Sequence, residues 1–220
     1  MATAISTWNI LPTFHALGAA VLLILVHSAE AQTILSTIDY SPQQVSTSGS
    51  TVAIRMDKSG GARVRTSKQY SYGTFSANIK CPAGDISGFV PAFYTSSLEG
   101  SGNQDEIDVE FLGKNKGAIQ TNYYVNGQGG REQMISLGFD CSSAFHKYTI
   151  QWTSSSIKWF VDDKLVRTAT NDGSSPYPTK PSYLYASIWD ASSVNGGAWA
   201  GTATYANAPY SFQLQGISAS

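Results

Sequence analysis

From residue 51 onward, short runs rich in Val, Ile, Tyr, Phe, Trp and Thr are separated by Gly, Ser, Asn and Asp. Helical periodicity is nearly absent, so the pattern predicts strands. They fall at 51–56, 73–80, 88–95, 106–112, 118–125, 133–137, 146–153, 157–161, 164–170 and 182–189. Asp162-Asp163, between two of these runs, reads as a tight hairpin turn, because short polar residues tolerate the backbone such turns require. Gly, Ser and Asn gather at 98–103, 126–130 and 171–175, which read as loops within one domain. Many short strands without helices predict two packed antiparallel sheets.

The run at 105–113, Asp-Glu-Ile-Asp-Val-Glu-Phe-Leu-Gly, departs from the others. Side chains alternate along a strand, so Glu106, Asp108 and Glu110 share one face, and Ile107, Val109 and Phe111 pack between the sheets. A rise of about 3.3 Å per residue sets the Glu106 and Glu110 Cα atoms roughly 13 Å apart. Side chains leaning together on a curved strand close much of that gap, toward the ~5–5.5 Å between the carboxyls of a retaining glycosidase. Acids about 6.6 Å apart with no Lys or Arg between them repel, whereas a merely solvated face usually mixes signs. Three readings fit this spacing: paired carboxylates for catalysis, an ordinary acidic face, and a Ca²⁺ site.

Charge and targeting narrow the partners. Residues 16–26 read ALGAAVLLILV, an apolar run too short to span a bilayer, and Ala29-Glu30-Ala31 has the small-x-small form of a leader cleavage site. Cleavage after Ala31 is expected, although no Lys or Arg precedes Arg55. Of 14 basic and 15 acidic residues it removes Glu30 alone, leaving 14 of each sign. A near-neutral surface suits neither nucleic acid nor an anionic membrane. The expectation is therefore a leader at 1–31 and one secreted, monomeric domain at 32–220, with neither of those partners. In an oxidising compartment Cys81 and Cys141 form one bridge or remain two buried thiols. Aromatic residues make up 12% of the chain, enough to supply both a core and a sugar-stacking face. Trp189, Trp199, Tyr123, Tyr124 and Tyr205 are candidates for that face, each with core packing as the alternative, while Trp152 and Trp159 read as core.

At 102–113, GNQDEIDVEFLG, the chain resembles glycoside hydrolase family 16. The likeness extends to 72–79 (YGTFSANI) and 92–97 (AFYTSS), similar to the strands before this motif in plant xyloglucan endotransglucosylase/hydrolases. Gln120-Thr-Asn122 and Gly130-Arg-Glu132 resemble the glucan-contacting segments of those enzymes. The stretch 106–170 is similar to bacterial lichenases, and Trp199-Ala-Gly201 and Ala208-Pro-Tyr210 to a C-terminal pattern of plant and fungal transglycosylases.

The resemblance implies an all-β, concanavalin-like jelly-roll sandwich of two antiparallel sheets with a concave substrate cleft. It implies double displacement on a β-glucan polysaccharide or oligosaccharide, without metal or cofactor. Glu106 resembles the nucleophile, Glu110 the general acid/base and Asp108 the residue assisting between them. Gln120, Asn122, Tyr124, Arg131, Glu132, Trp189 and Trp199 are the expected substrate-binding residues. Four departures from the plant enzymes stand out. Gln104 replaces a common His, Asn115 begins no sequon, Ser193-Val194 replace an acidic residue and Trp, and the sequence runs to Ser220 without a Cys-rich extension. A retaining endo-β-glucanase is accordingly expected, cleaving β-1,4 linkages in mixed-linkage β-glucan or xyloglucan. The alternatives are a glucan endotransglycosylase and a lectin-like binding module.

Overall fold

A computed structural model describes residues 33–220, so the leader expected at 1–31 lies outside the described residues. Among these residues the chain forms fourteen strands. Chain order gives β1 (Thr37–Tyr40), β2 (Val45–Ser48), β3 (Thr51–Met56), β4 (Arg63–Arg65), β5 (Gly73–Lys80), β6 (Phe89–Ser96) and β7 (Glu106–Glu110). There follow β8 (Ala118–Tyr124), β9 (Gln133–Ser136), β10 (His146–Trp152), β11 (Ser156–Val161), β12 (Lys164–Thr170), β13 (Tyr183–Asp190) and β14 (Tyr210–Ala219). They make two seven-stranded antiparallel sheets, ordered β1-β4-β13-β6-β7-β8-β9 and β12-β11-β10-β5-β14-β3-β2. This is the sandwich the alternation predicts.

The ten runs read from the sequence all become strands, and four further strands join them. β1 and β2 are mostly exposed edge strands with no apolar face to betray them, and β4 spans three residues. β14 is different: Tyr210, Phe212 and Leu214 alternate into the core from a central position, so its signal is legible in the sequence. Asp162 and Asp163 both adopt positive φ, 47° and 61°, between β11 and β12, as the hairpin reading requires.

The core lies between the sheets. Phe75, Phe93, Phe111, Tyr148, Trp152, Trp159 and Phe212 are fully buried there, with Ile107 and Val109 beside them. Tyr123, a sugar-stacking candidate, also belongs to this core, because its register turns it inward from β8. Cys81 and Cys141 form a disulfide at the end of the β5–β10 pair, where the Cys81 N–H also donates to the Cys141 carbonyl at 2.9 Å. The bridge spans 60 residues that include β6 through β9. In the chain-entropy picture a loop of that length is worth about 4 kcal/mol.

Candidate active site

Directly opposed residues in antiparallel strands point to the same side, so the register maps the outer face of the first sheet row by row. Glu106 lies between Ser96 and Tyr124, Asp108 between Tyr94 and Asn122, and Glu110 between Ala92 and Gln120. On β13, Tyr183, Tyr185, Ser187 and Trp189 continue these rows opposite Ser96, Tyr94, Ala92 and Val90. The Asp108 row is tall, because Tyr94 and Tyr185 stack at 5.1 Å with planes 11° apart. The Glu110 row is low, since Ala92 and Ser187 carry small side chains. Beyond it stand Trp189 and Trp199, ring centroids 5.7 Å apart. A trough thus crosses the strands between a tyrosine wall and a tryptophan wall, passing over Glu110, with Asp108 in the tyrosine row and Glu106 one row beyond it.

The trough belongs to an open groove of about 710 Å³, large enough to take several pyranose rings along its length. Two loops supply its rims. Glu99 and Gln104 come from the loop after β6, and Val194, Asn195 and Trp199 from the segment after β13. The Trp199 indole N–H donates to Gln120 Oε1 at 2.9 Å, fixing one rim to the floor.

Burial governs the electrostatics. It raises Glu110 from its ordinary value to about 8, with the Glu106 charge adding to the effect. Asp108 is pushed well up by burial and the Glu110 charge, and Glu106 well up by burial and the Asp108 charge. Three acids so placed cannot all ionise near neutrality and must hold protons between them. Hydrogen bonds divide these protons unequally. Burial and neighbouring charge favour the protonated form of both glutamates, and at Glu106 they are opposed by Gln104, whose Nε2 donates to Glu106 Oε2 at 3.0 Å. An anionic carboxyl and a proton-bearing one on the same floor are what displacement at an acetal requires.

The core holds this floor in place. Trp159, on β11 of the opposite sheet, donates its indole N–H to the Asp108 carbonyl at 3.0 Å, in the middle of the acidic strand. Arg167 on β12 stacks over Trp159 at 4.5 Å and donates to the Thr121 carbonyl, the Thr121 hydroxyl and the Arg131 carbonyl at 2.6–2.8 Å. Asp105, 2% exposed, accepts from the Asn126, Thr179 and Lys180 N–H groups and so ties three segments beside Glu106. Glycine is required at two positions by close approach. A Cβ at Gly113 would collide with the Ile86 carbonyl, and one at Gly129 would strike the Tyr124 ring.

The structure brings Glu106, Asp108, Glu110, Gln120, Asn122, Tyr124, Glu132, Trp189 and Trp199 to the groove. Arg131 is the exception. Its guanidinium turns back to the Gln128 and Gly129 carbonyls and lies 5.0 Å over the Tyr123 ring, bracing the loop instead of facing the trough. Tyr205 likewise packs on Phe89 and donates to Asp190 away from the groove. Groove residues that the sequence reading leaves out include Tyr94 and Ser187, although their phase within β6 and β13 places them on this face. Tyr40, Arg63 and Glu99 carry no such signal, since β1 and β4 are short and Glu99 sits on a loop.

Comparison with known proteins adds three findings. The family model described as "Glycosyl hydrolases family 16" matches residues 35–211. The chain is similar to a β-glucanase of Paenibacillus polymyxa, 40% identical over 147 residues covering 66% of this chain and 58% of that protein. It is similar to xyloglucan endotransglucosylase/hydrolase protein 3 of Arabidopsis thaliana, 38% identical over 181 residues covering 79% of this chain and 60% of that protein. The chain thus spans about three fifths of the length of these curated relatives. Among solved structures, a Bacillus licheniformis β-glucanase superposes with a TM-score of 0.68 at 30% identity, over 80% of this chain and 81% of that one.

Proposed function

The chain belongs to glycosyl hydrolases family 16, and from that premise we propose that it is a secreted, retaining endo-β-glucanase cleaving β-1,4 linkages in mixed-linkage β-glucan or xyloglucan. Residues 32–220 act as one catalytic domain once the leader is removed. The carrying observation is three acids on one strand lining an open groove, Asp108 buried and the two glutamates partly so, with Gln104 donating to Glu106 and desolvation favouring a proton on Glu110.

In this reading a glucan chain lies in the groove that Glu106, Asp108 and Glu110 line together, with Trp189 and Trp199 at one side. The Glu106 carboxylate attacks the anomeric carbon while Glu110 gives its proton to the leaving glycosidic oxygen. A covalent glycosyl-enzyme results, and Asp108 shares charge and protons with both glutamates. Glu110, now anionic, removes a proton from water, which attacks the same carbon and frees Glu106. Glu106→Gln keeps shape but lacks the nucleophile. It should stay folded, with a melting temperature no lower than the wild type because the raised Glu106 carboxyl is removed, and lose turnover of barley β-glucan by about 10³-fold or more. Retained turnover would refute the assignment.

A second reading, transfer to a sugar hydroxyl instead of water, draws support from the Trp189–Trp199 pair bonded to Gln120 in the Glu110 row. Such a wall can hold an acceptor ring against the glycosyl-enzyme. Incubation with a labelled oligosaccharide separates the two readings: labelled longer products mean transfer, and reducing sugar alone means hydrolysis.

A further inference from the structure

Methionine occurs three times in the chain, at 1, 56 and 134. Met1 lies outside the described residues, Met56 is 1% exposed in the core, and Met134 is 49% exposed. A lone exposed methionine needs no explanation, but the place of this one does. Met134 lies on β9, the edge strand of the sheet that carries the acids. Its register partner is Gln120, whose own partner on the other side is Glu110. Opposed residues point to the same side, so Met134 ends the row that runs through Ala92, Glu110 and Gln120, and it stands on the groove face. Glu132, two residues earlier, lines the groove. Neighbouring strands lie about 4.8 Å apart, which sets β9 roughly 10 Å from β7 across the floor.

The Trp199 indole N–H holds Gln120 Oε1 at 2.9 Å, so the tryptophan wall meets the floor immediately before Met134. A glucan chain crossing the strands from Glu110 toward β9 passes Gln120 and then reaches Met134. An acceptor ring held against Trp199 lies on this side, and the leaving chain occupies the same side, because transfer is cleavage run backward. A thioether suits contact with the C–H face of a sugar ring. It is flexible and polarizable, and it demands no hydrogen bond.

We propose that Met134 is a specificity-determining residue that lays its thioether against a sugar ring of the leaving chain, past the Trp199–Gln120 wall. Substrates whose leaving portion extends to β9 gain this contact, and those with a single-ring leaving group do not. The proposal rests on the glucanase reading, and two experiments separate its failure from failure of that reading.

The first uses the thioether as its own probe. Hydrogen peroxide transfers one oxygen to the methionine sulfur and leaves as water, turning an apolar side chain into a polar sulfoxide. Buried Met56 serves as the internal reference, and Glu106→Gln protein prevents turnover during the measurement. With oligosaccharides from barley β-glucan at saturation, followed by tryptophan fluorescence, peptide mass spectrometry should show Met134 oxidising about fivefold more slowly or less. Unchanged oxidation with sugar bound would overturn the proposal and leave the glucanase reading standing. If no oligosaccharide binds and the wild type cleaves no glucan, both readings fall.

The second compares KM for β-glucan with KM for an aryl oligoglycoside whose leaving group is one ring. In Met134→Ala the ratio of the two should rise about threefold or more, because apolar contact is lost only where the chain reaches β9. Met134→Leu, which conserves volume, should keep most of the wild-type ratio. A ratio unchanged in Met134→Ala, whether both KM values rise together or neither moves, would mean that Met134 does not touch the chain, and would overturn the proposal.

Discussion

Glu110 holds its proton to about 8, whereas an ordinary glutamate, with a value of 4.5, is ionised well below neutrality. The cause is burial reinforced by Glu106, and it acts on both catalysis and stability. A general acid must carry its proton, so kcat/KM should decline as pH rises through about 8. For stability, the unfolded carboxyl ionises above 4.5 while the folded one stays protonated to about 8, so folding must take up a proton between these values. Stability is therefore lost as pH climbs through that window. Glu110→Gln removes the uptake, and its melting temperature should exceed that of the wild type by more at pH 8.5 than at pH 5. Each ~1 kcal/mol is read as about 2–4 °C in a domain of this size. The acidic face of Glu106, Asp108 and Glu110 was legible from alternation alone, because a two-residue period says which side chains are neighbours. The Arg63–Glu99 ion pair at the groove was not, since it depends on a loop folding back by a path no local pattern records.

At the scale of elements, the acidic strand is held from behind as much as from its sides. Trp159 reads as core from the sequence, and it is, but its bond to the Asp108 carbonyl arises only when the two sheets meet. Arg167 gives no signal at all. It lies in a run, Lys164–Thr170, that looks like a solvated edge strand, yet it is 8% exposed and donates to three acceptors on and beside β8. Arg167→Met fills similar volume but orphans those acceptors, and it should cost about 2–4 kcal/mol in urea unfolding. β-Glucan turnover should fall with it, because Gln120 and Asn122 ride on the same strand. Ten strands were visible as runs of β-branched and aromatic residues; β1, β2 and β4 were not, being edge-exposed or too short for a face to repeat. Arg131, expected at the groove from its likeness to glucan-contacting segments, points away because the Gln128 and Gly129 carbonyls are the nearer acceptors.

For the whole molecule, the disulfide is the strongest covalent constraint among the described residues. Replacing Cys81 and Cys141 together by Ser should lower stability by about 4 kcal/mol, seen as a lower urea midpoint with a steeper slope, because the unbridged unfolded chain exposes more surface. The two-sheet sandwich followed from composition and strand spacing; which strands lie side by side did not, because pairing in two sheets joins residues far apart in the chain. The bridge also encloses the loop that carries Glu99 and Leu98, the latter 60% exposed. A protease that nicks this loop once opens a ring and does not split the protein. Both pieces stay tethered, with every strand still paired, and come apart on a denaturing gel only after reduction.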